Sequence, residues 1–147
     1  MINIAIGCDP NAIDFKMQII DYLVEKGYKI TDMGSDDPIY ANTAIKVAEA
    51  VAEKRYNCGV LFCGTGIGMS IAANKVKGAY AAQIADSYSA DRARKSNDTN
   101  IACMGALTIG LALAKNLLDI WLTSEYKTGT NSELKVQRII AYEHGIV

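Results

Sequence analysis

Short apolar runs alternate along this chain with longer amphipathic segments, and this constrains the fold more than any other feature. Ile2 to Ile6 is a β-branched run stopped by Gly7, and Asp14 to Lys26 then sets Phe15, Ile19, Tyr22 and Leu23 at helical spacing before Gly27. Tyr28 to Met33 alternates and closes at Gly34. Asp36-Asp37-Pro38 reads as a loop, and Thr43 to Lys54 is rich in helix formers. The rhythm then repeats. Strands are predicted at Gly59–Phe62, Ala79–Ile84 and Ile101–Met104, and helices at Ser70–Asn74, Ser87–Lys95, Thr108–Ser124 and Ser132–Glu143. Mostly apolar strands separated by helices predict an α/β fold, a five-stranded parallel sheet covered by helices on both faces. The 147 residues are expected to form one domain, 1–147, with no repeat or linker.

Composition excludes several classes of chemistry. The only histidine is His144, so one chain cannot build a multi-histidine metal site, and a Ser-His-Asp triad would hang on a tail residue. A net charge of -1 carries no nucleic-acid footprint. Cys8, Cys58, Cys63 and Cys103 lack CxxC or zinc-ligand spacing, and the opening residues lack a basic leader. No apolar stretch reaches the ~18 residues of a membrane span. The expectation is a cytoplasmic protein with free thiols.

Ligands of parallel sheets sit at the carboxyl ends of the strands, where the sequence puts Cys8-Asp9, Cys63-Gly64-Thr65 and Cys103-Met104-Gly105. The segment Cys63-Gly64-Thr65-Gly66-Ile67-Gly68-Met69-Ser70 is the most informative. Its alternate glycines let the backbone turn tightly and present bare N–H groups at the start of a helix, where negative charge is favoured. A thiol there suits a base or nucleophile beside an anion-stabilising hole. A phosphate or dinucleotide cradle is the competing reading. Against it, the loop reads G-T-G-I-G rather than G-x-G-x-x-G, follows the third strand, and lacks the G-K-[ST] ending. Spacing alone leaves a catalytic and a structural Cys63 equally open.

The blocks Gly7-Cys8-Asp9, Cys63 to Lys75 (CGTGIGMSIAANK) and Asn97-Asp98-Thr99-Asn100 closely resemble the type B ribose-5-phosphate isomerases and the related galactose-6-phosphate isomerase subunits. The likeness runs over nearly the whole chain and weakens after Tyr126. It implies a three-layer Rossmann-like domain whose C-terminal helix extends to a partner subunit. It also implies cofactor-independent, metal-free aldose–ketose isomerisation through an enediolate, in a site shared by two subunits. Cys63 matches the base that moves a proton between adjacent sugar carbons. The amides of Gly64, Gly66, Ile67, Gly68 and Ser70 match the oxyanion hole. Thr65 and Asp9 match residues around ring opening and sugar hydroxyls, and Asn97 and Tyr40 match substrate contacts.

The departures from that family pattern are of one kind. Pro10 and Ser96 stand where the family usually has histidines, the second used in opening the sugar ring. Thr128-Gly129-Thr130-Asn131 replaces a Gly-Gly-Arg-His motif, Leu107 replaces an arginine, and Lys135 best matches a second phosphate-gripping arginine. Lysine is a weaker geometric substitute for an arginine fork. Three explanations follow: an isomerase for another sugar or sugar phosphate, with Lys135, Arg138 or Arg94 near the substrate; a subunit needing an unlike partner chain; or a retired sugar-binding homologue. Arg94 reads as ordinary surface charge, Trp121 as core or interface, Cys58 as a structural residue at the start of a strand, and His144 as solvated tail.

Overall fold

The computed structural model describes residues 1–147. Five strands, β1 (Asn3–Cys8), β2 (Lys29–Asp32), β3 (Cys58–Cys63), β4 (Ala81–Gln83) and β5 (Ile101–Gly105), form one all-parallel sheet in the order β2-β1-β3-β5-β4. The helices are α1 (Ile13–Glu25), α2 (Tyr40–Ala52), α3 (Ile67–Ala73), α4 (Ser87–Lys95), α5 (Leu111–Thr123) and α6 (Glu133–Glu143), with a 3-10 turn at Pro10–Ala12.

The expected three-layer α/β/α architecture is present. Strand side chains alternate between faces, so Ile4, Ile6, Val60, Phe62 and Met104 pack with Ile19 and Leu23 of α1 and Leu117, Leu118 and Trp121 of α5. The intervening residues, including Ala5, Leu61, Cys63 and Cys103, meet Val47 and Val51 of α2 and Met69 of α3 on the other face. Trp121 is a core residue, and its indole N–H donates to Thr99 Oγ1 at 3.0 Å.

Element boundaries differ from the sequence reading where local turns and side-chain bonds intervene. Asp37 accepts the Ile39 amide (2.8 Å) and the Asn42 side-chain amide (2.9 Å), so α2 begins at Tyr40 rather than Thr43. Gly66, at φ +81°, turns the chain so that α3 begins at Ile67 rather than Ser70. The fourth strand keeps only Ala81–Gln83, because the Asn100 side chain takes over at its start, accepting the Tyr80 amide at 2.8 Å.

The sheet order places the topological switch point between β1 and β3. The crevice outside their carboxyl ends is where such folds bind ligands, and the Cys8-Asp9 and Cys63-Gly64 corners both border it.

Candidate functional site

β3 delivers Cys63 to the carboxyl edge of the sheet. Its side chain turns into the α2–α3 layer and is nearly buried, and Sγ accepts the Gly66 amide at 3.0 Å. The loop is held by the turn that follows β5: the Ala106 amide donates to Cys63 O (2.9 Å) and the Leu107 amide to Gly64 O (3.0 Å). Close approach at this point needs glycine. A Cβ on Gly105 would lie 2.6 Å from Thr65 Cα, and one on Gly66 would lie 2.9 Å from the Met104 carbonyl carbon.

The loop spends some of its amides internally and leaves others open to a ligand. Gly66 N–H donates to Cys63 Sγ, Ile67 N–H to Thr65 Oγ1 (3.2 Å) and Ser70 N–H to Gly66 O (3.2 Å). The amides of Gly64, Thr65, Gly68 and Met69 donate to no protein group. Open donors at a helix start, beside a thiol, are a ready hole for developing negative charge. Of the hole residues expected from the sequence, Gly64 and Gly68 present free N–H groups, while Gly66, Ile67 and Ser70 use theirs within the loop.

Asp9 stands across the switch point. Its amide donates to Phe62 O at 2.9 Å, which fixes the first corner against the residue before Cys63. Its Oδ1 accepts the Asn11 amide at 2.8 Å. Near it a buried lysine meets an exposed carboxylate. The Lys16 ammonium is 1% exposed and meets Asp32 Oδ1 at 2.7 Å; the same oxygen accepts the Gly34 amide (3.0 Å), whose carbonyl accepts the Cys8 amide (3.2 Å). Tyr40 opens α2 and places its hydroxyl and ring where a Cβ of Gly68 would be, so only glycine admits it.

Asn97 and Lys135 are not brought to Cys63 within one chain. α4 runs back from the carboxyl end of β4, so Asn97 lies at the amino edge of the sheet, ahead of Ile101 and opposite the Cys63 edge. Asn97 lines a groove of about 390 Å³ between β4, α4 and α6. Lys135 is exposed on α6 and does not line it.

Arg94 is not loose surface charge. Its guanidinium donates to Thr99 O, pairs with Asp98 (3.5 Å) and stacks 5.9 Å from the Trp121 ring, bracing the Asn97 loop, in which Asp98 adopts φ +51°. Arg138 donates to Ile146 O, and His144 is exposed. Gln83 was not singled out from the sequence. Its side-chain amide donates to Thr65 O at 3.1 Å, and the available signal was a polar residue closing an otherwise apolar strand.

Two of the remaining cysteines are set apart from Cys63. Cys8 and Cys58 face the opposite layer, and Cys103 is fully buried beside Cys63. Burial pushes the Cys8 thiol up to about 11, against the lowering effect of Lys16, and the Cys58 thiol up to about 12. Burial, with Cys63 nearby, raises Cys103 as well. All four cysteines are unpaired, and no helix is long and apolar enough to cross a membrane.

The family model for the Ribose/Galactose Isomerase family matches residues 4–139, and the chain belongs to that family. It is similar to D-erythrulose-4-phosphate isomerase of Pectobacterium atrosepticum, at 48% identity over 98% of this chain and 97% of the relative. It is also similar to ribose-5-P isomerase B of Listeria innocua, at 52% identity over 90% of this chain and 91% of that one. Among solved structures, ribose-5-phosphate isomerase B of Clostridium thermocellum superposes with a TM-score of 0.91 at 37% identity, covering 99% of both chains. The chain is thus an aldose–ketose isomerase of the sugar-phosphate type.

Proposed function

We propose that residues 1–147 act as one catalytic unit in which the Cys63 thiolate is the base of an aldose–ketose isomerisation. The observation that carries this reading is the Cys63 thiol set among open loop amides. With an open-chain aldose bound, the thiolate takes the proton on the carbon next to the carbonyl. The electron pair moves to the carbonyl oxygen, giving a cis-enediolate whose negative charge faces the free N–H groups of Gly64, Thr65, Gly68 and Met69. Returning the proton to the neighbouring carbon, with hydroxyl proton exchange, yields the ketose. Asp9 and Thr65 border the sugar hydroxyls, and Tyr40 and Ser70 shape the pocket around α3.

The missing histidines favour a short substrate. A pentose 5-phosphate spends most of its time as a ring, and its isomerase must open that ring before the proton transfer. A tetrose 4-phosphate has its O4 esterified and cannot close a five-membered ring. Pro10 and Ser96, at positions where the family keeps histidines, therefore suit a tetrose/tetrulose 4-phosphate pair, and the erythrulose-phosphate relative is similar over nearly the full length. Ribose 5-phosphate/ribulose 5-phosphate is the second reading, supported by the ribose-5-P isomerase B likeness.

Because Asn97 lies at the edge opposite Cys63, the complete site takes Cys63 from one copy and Asn97 from another, with α6 reaching towards the partner and Lys135 near its substrate. The working form is a homodimer or higher homo-oligomer, active without a cofactor or an unlike subunit. Four unpaired cysteines fit a reducing, cytoplasmic setting.

The test is turnover of tetrose, pentose and hexose phosphates, alongside free sugars, by the purified homomer. Cys63→Ala is expected to abolish exchange of the substrate's carbon-bound proton with solvent while leaving circular dichroism unchanged. Undiminished exchange in that variant removes Cys63 as the base. Turnover confined to pentose phosphates removes the short-substrate reading, and activity appearing only with an unlike co-purifying chain removes the homomer.

A further inference from the structure

The groove that holds Asn97 contains one cation, Arg92. It projects from α4 on the same stripe as Ser89 and Ser96, at helical spacings of three and four residues. Its Nε donates to Ser96 Oγ at 2.7 Å, which orients the guanidinium. The terminal nitrogens make no hydrogen bond to the protein, and the side chain is 41% exposed.

The nearby carboxylates are already engaged elsewhere. Asp91 lies 3.9 Å from Arg92 Nη1 but is held by Lys95 at 2.7 Å and the Ser124 hydroxyl at 3.0 Å. Asp98, which lines the groove, pairs with Arg94, and Glu143 accepts the Tyr80 hydroxyl at 2.7 Å. Arg92 is left with one loose contact to Asp91, at 3.9 Å, and terminal N–H donors free of hydrogen bonds, and it lines the groove that also holds Asn97. Arginine forks of this kind match the oxygen spacing of a phosphate bidentately.

We propose that Arg92, oriented by Ser96, binds the phosphate of the substrate, a role the sequence reading gave to Lys135 on α6. This rests on the sugar-phosphate isomerase reading and adds to it the residue that grips the anionic end. Ser96 then has a positive use here: its hydroxyl accepts the Arg92 Nε–H and orients that side chain.

Inorganic phosphate serves as the probe, so the inference can be read without turnover. Titrating it into the wild-type homomer is expected to shift the NMR resonances of the Arg92 Nε–Hε and Asn97 side-chain amide groups saturably. Arg92→Gln is expected to weaken that binding about tenfold, and to raise KM for the phosphorylated substrate by a similar factor with a smaller change in kcat. Ser96→Ala should weaken both by a lesser factor, and Arg92→Lys should recover part of the loss. Unchanged phosphate affinity in Arg92→Gln overturns the proposal. So does a wild-type protein whose Arg92 resonances ignore phosphate, or one in which Lys135→Gln alone destroys binding. A wild type that binds phosphate through Arg92 yet isomerises no sugar phosphate would leave this site standing and remove the enzymatic reading instead.

Discussion

Cys63 illustrates how little a residue type says without its surroundings. Four cysteines share this chain, and three end or border strands at the same edge of the sheet. Burial drives the Cys8 and Cys58 thiols up to about 11 and about 12, whereas Cys63 Sγ receives a backbone N–H beside further open amides. Iodoacetamide near neutral pH is therefore expected to label Cys63 first, as peptide mass spectrometry would show, since burial raises the other three thiols and disfavours their reactive thiolate form. First labelling at Cys8 or Cys58 would contradict this ordering. Gly66 controls the same sulfur. With φ +81° and the Met104 backbone 2.9 Å from any added Cβ, Gly66→Ala is expected to cost about 1–3 kcal/mol in urea denaturation and to lower kcat more than it raises KM. The glycines were conspicuous in the sequence. Which amides they leave free was not, because that depends on where β5 passes beneath the loop.

Among the elements, β4 is the weakest and the most dependent on others. It is a three-residue edge strand, and Asn74 at the end of α3 completes its outer side, donating to Ala81 O at 2.9 Å and accepting the Ala81 amide at 2.8 Å. Edge strands need some such cover for their unpaired backbone groups. Asn74→Ala removes both bonds. It is expected to cost about 1–2 kcal/mol by chemical denaturation, and to speed hydrogen exchange at Ala81 without loss of exchange protection in β1 and β3. The helices and strands were legible from periodicity, and all five strands and six of the predicted helices exist. Their ends were less so. The start of α2 follows a turn at Asp37, whose side chain reaches forward to the Ile39 amide and the Asn42 side chain, outside any apolar pattern.

Across the whole molecule, several buried groups tie stability to protonation in the same direction. Cys8, Cys58 and Tyr80 all hold their protons more tightly in the folded state; for Tyr80, burial first and then the Glu143 carboxylate push the hydroxyl up to about 12. In the unfolded chain these groups lose protons near their ordinary values of 9.0 for thiols and 10.0 for the phenol. Above that range the unfolded state binds fewer protons than the native one, so unfolding becomes easier as pH rises. Stability is expected to be flat with respect to these groups below about pH 8. It should then fall by a few kcal/mol between about pH 9 and about pH 12, in urea melts at graded pH. Tyr80→Phe should reduce the slope of that fall, since it removes one of the titrating groups. A pH-independent stability across the interval would show that these side chains ionise alike in both states.

The alternation of apolar runs settled the class of fold, since a parallel sheet with two covered faces is the arrangement that buries such strands on both sides. The glycine loop marked the candidate site, because backbone freedom and a thiol are written directly in residue identity. What the chain could not express locally is adjacency between distant segments. The strand order puts Asp9 next to Cys63, the direction of α4 carries Asn97 to the opposite edge, and the placing of α6 across a groove from α4 leaves Arg92 as the one cation lining it. Those relations come from how the layers stack and which carboxylates are already paired, and they exist only once the sheet has formed.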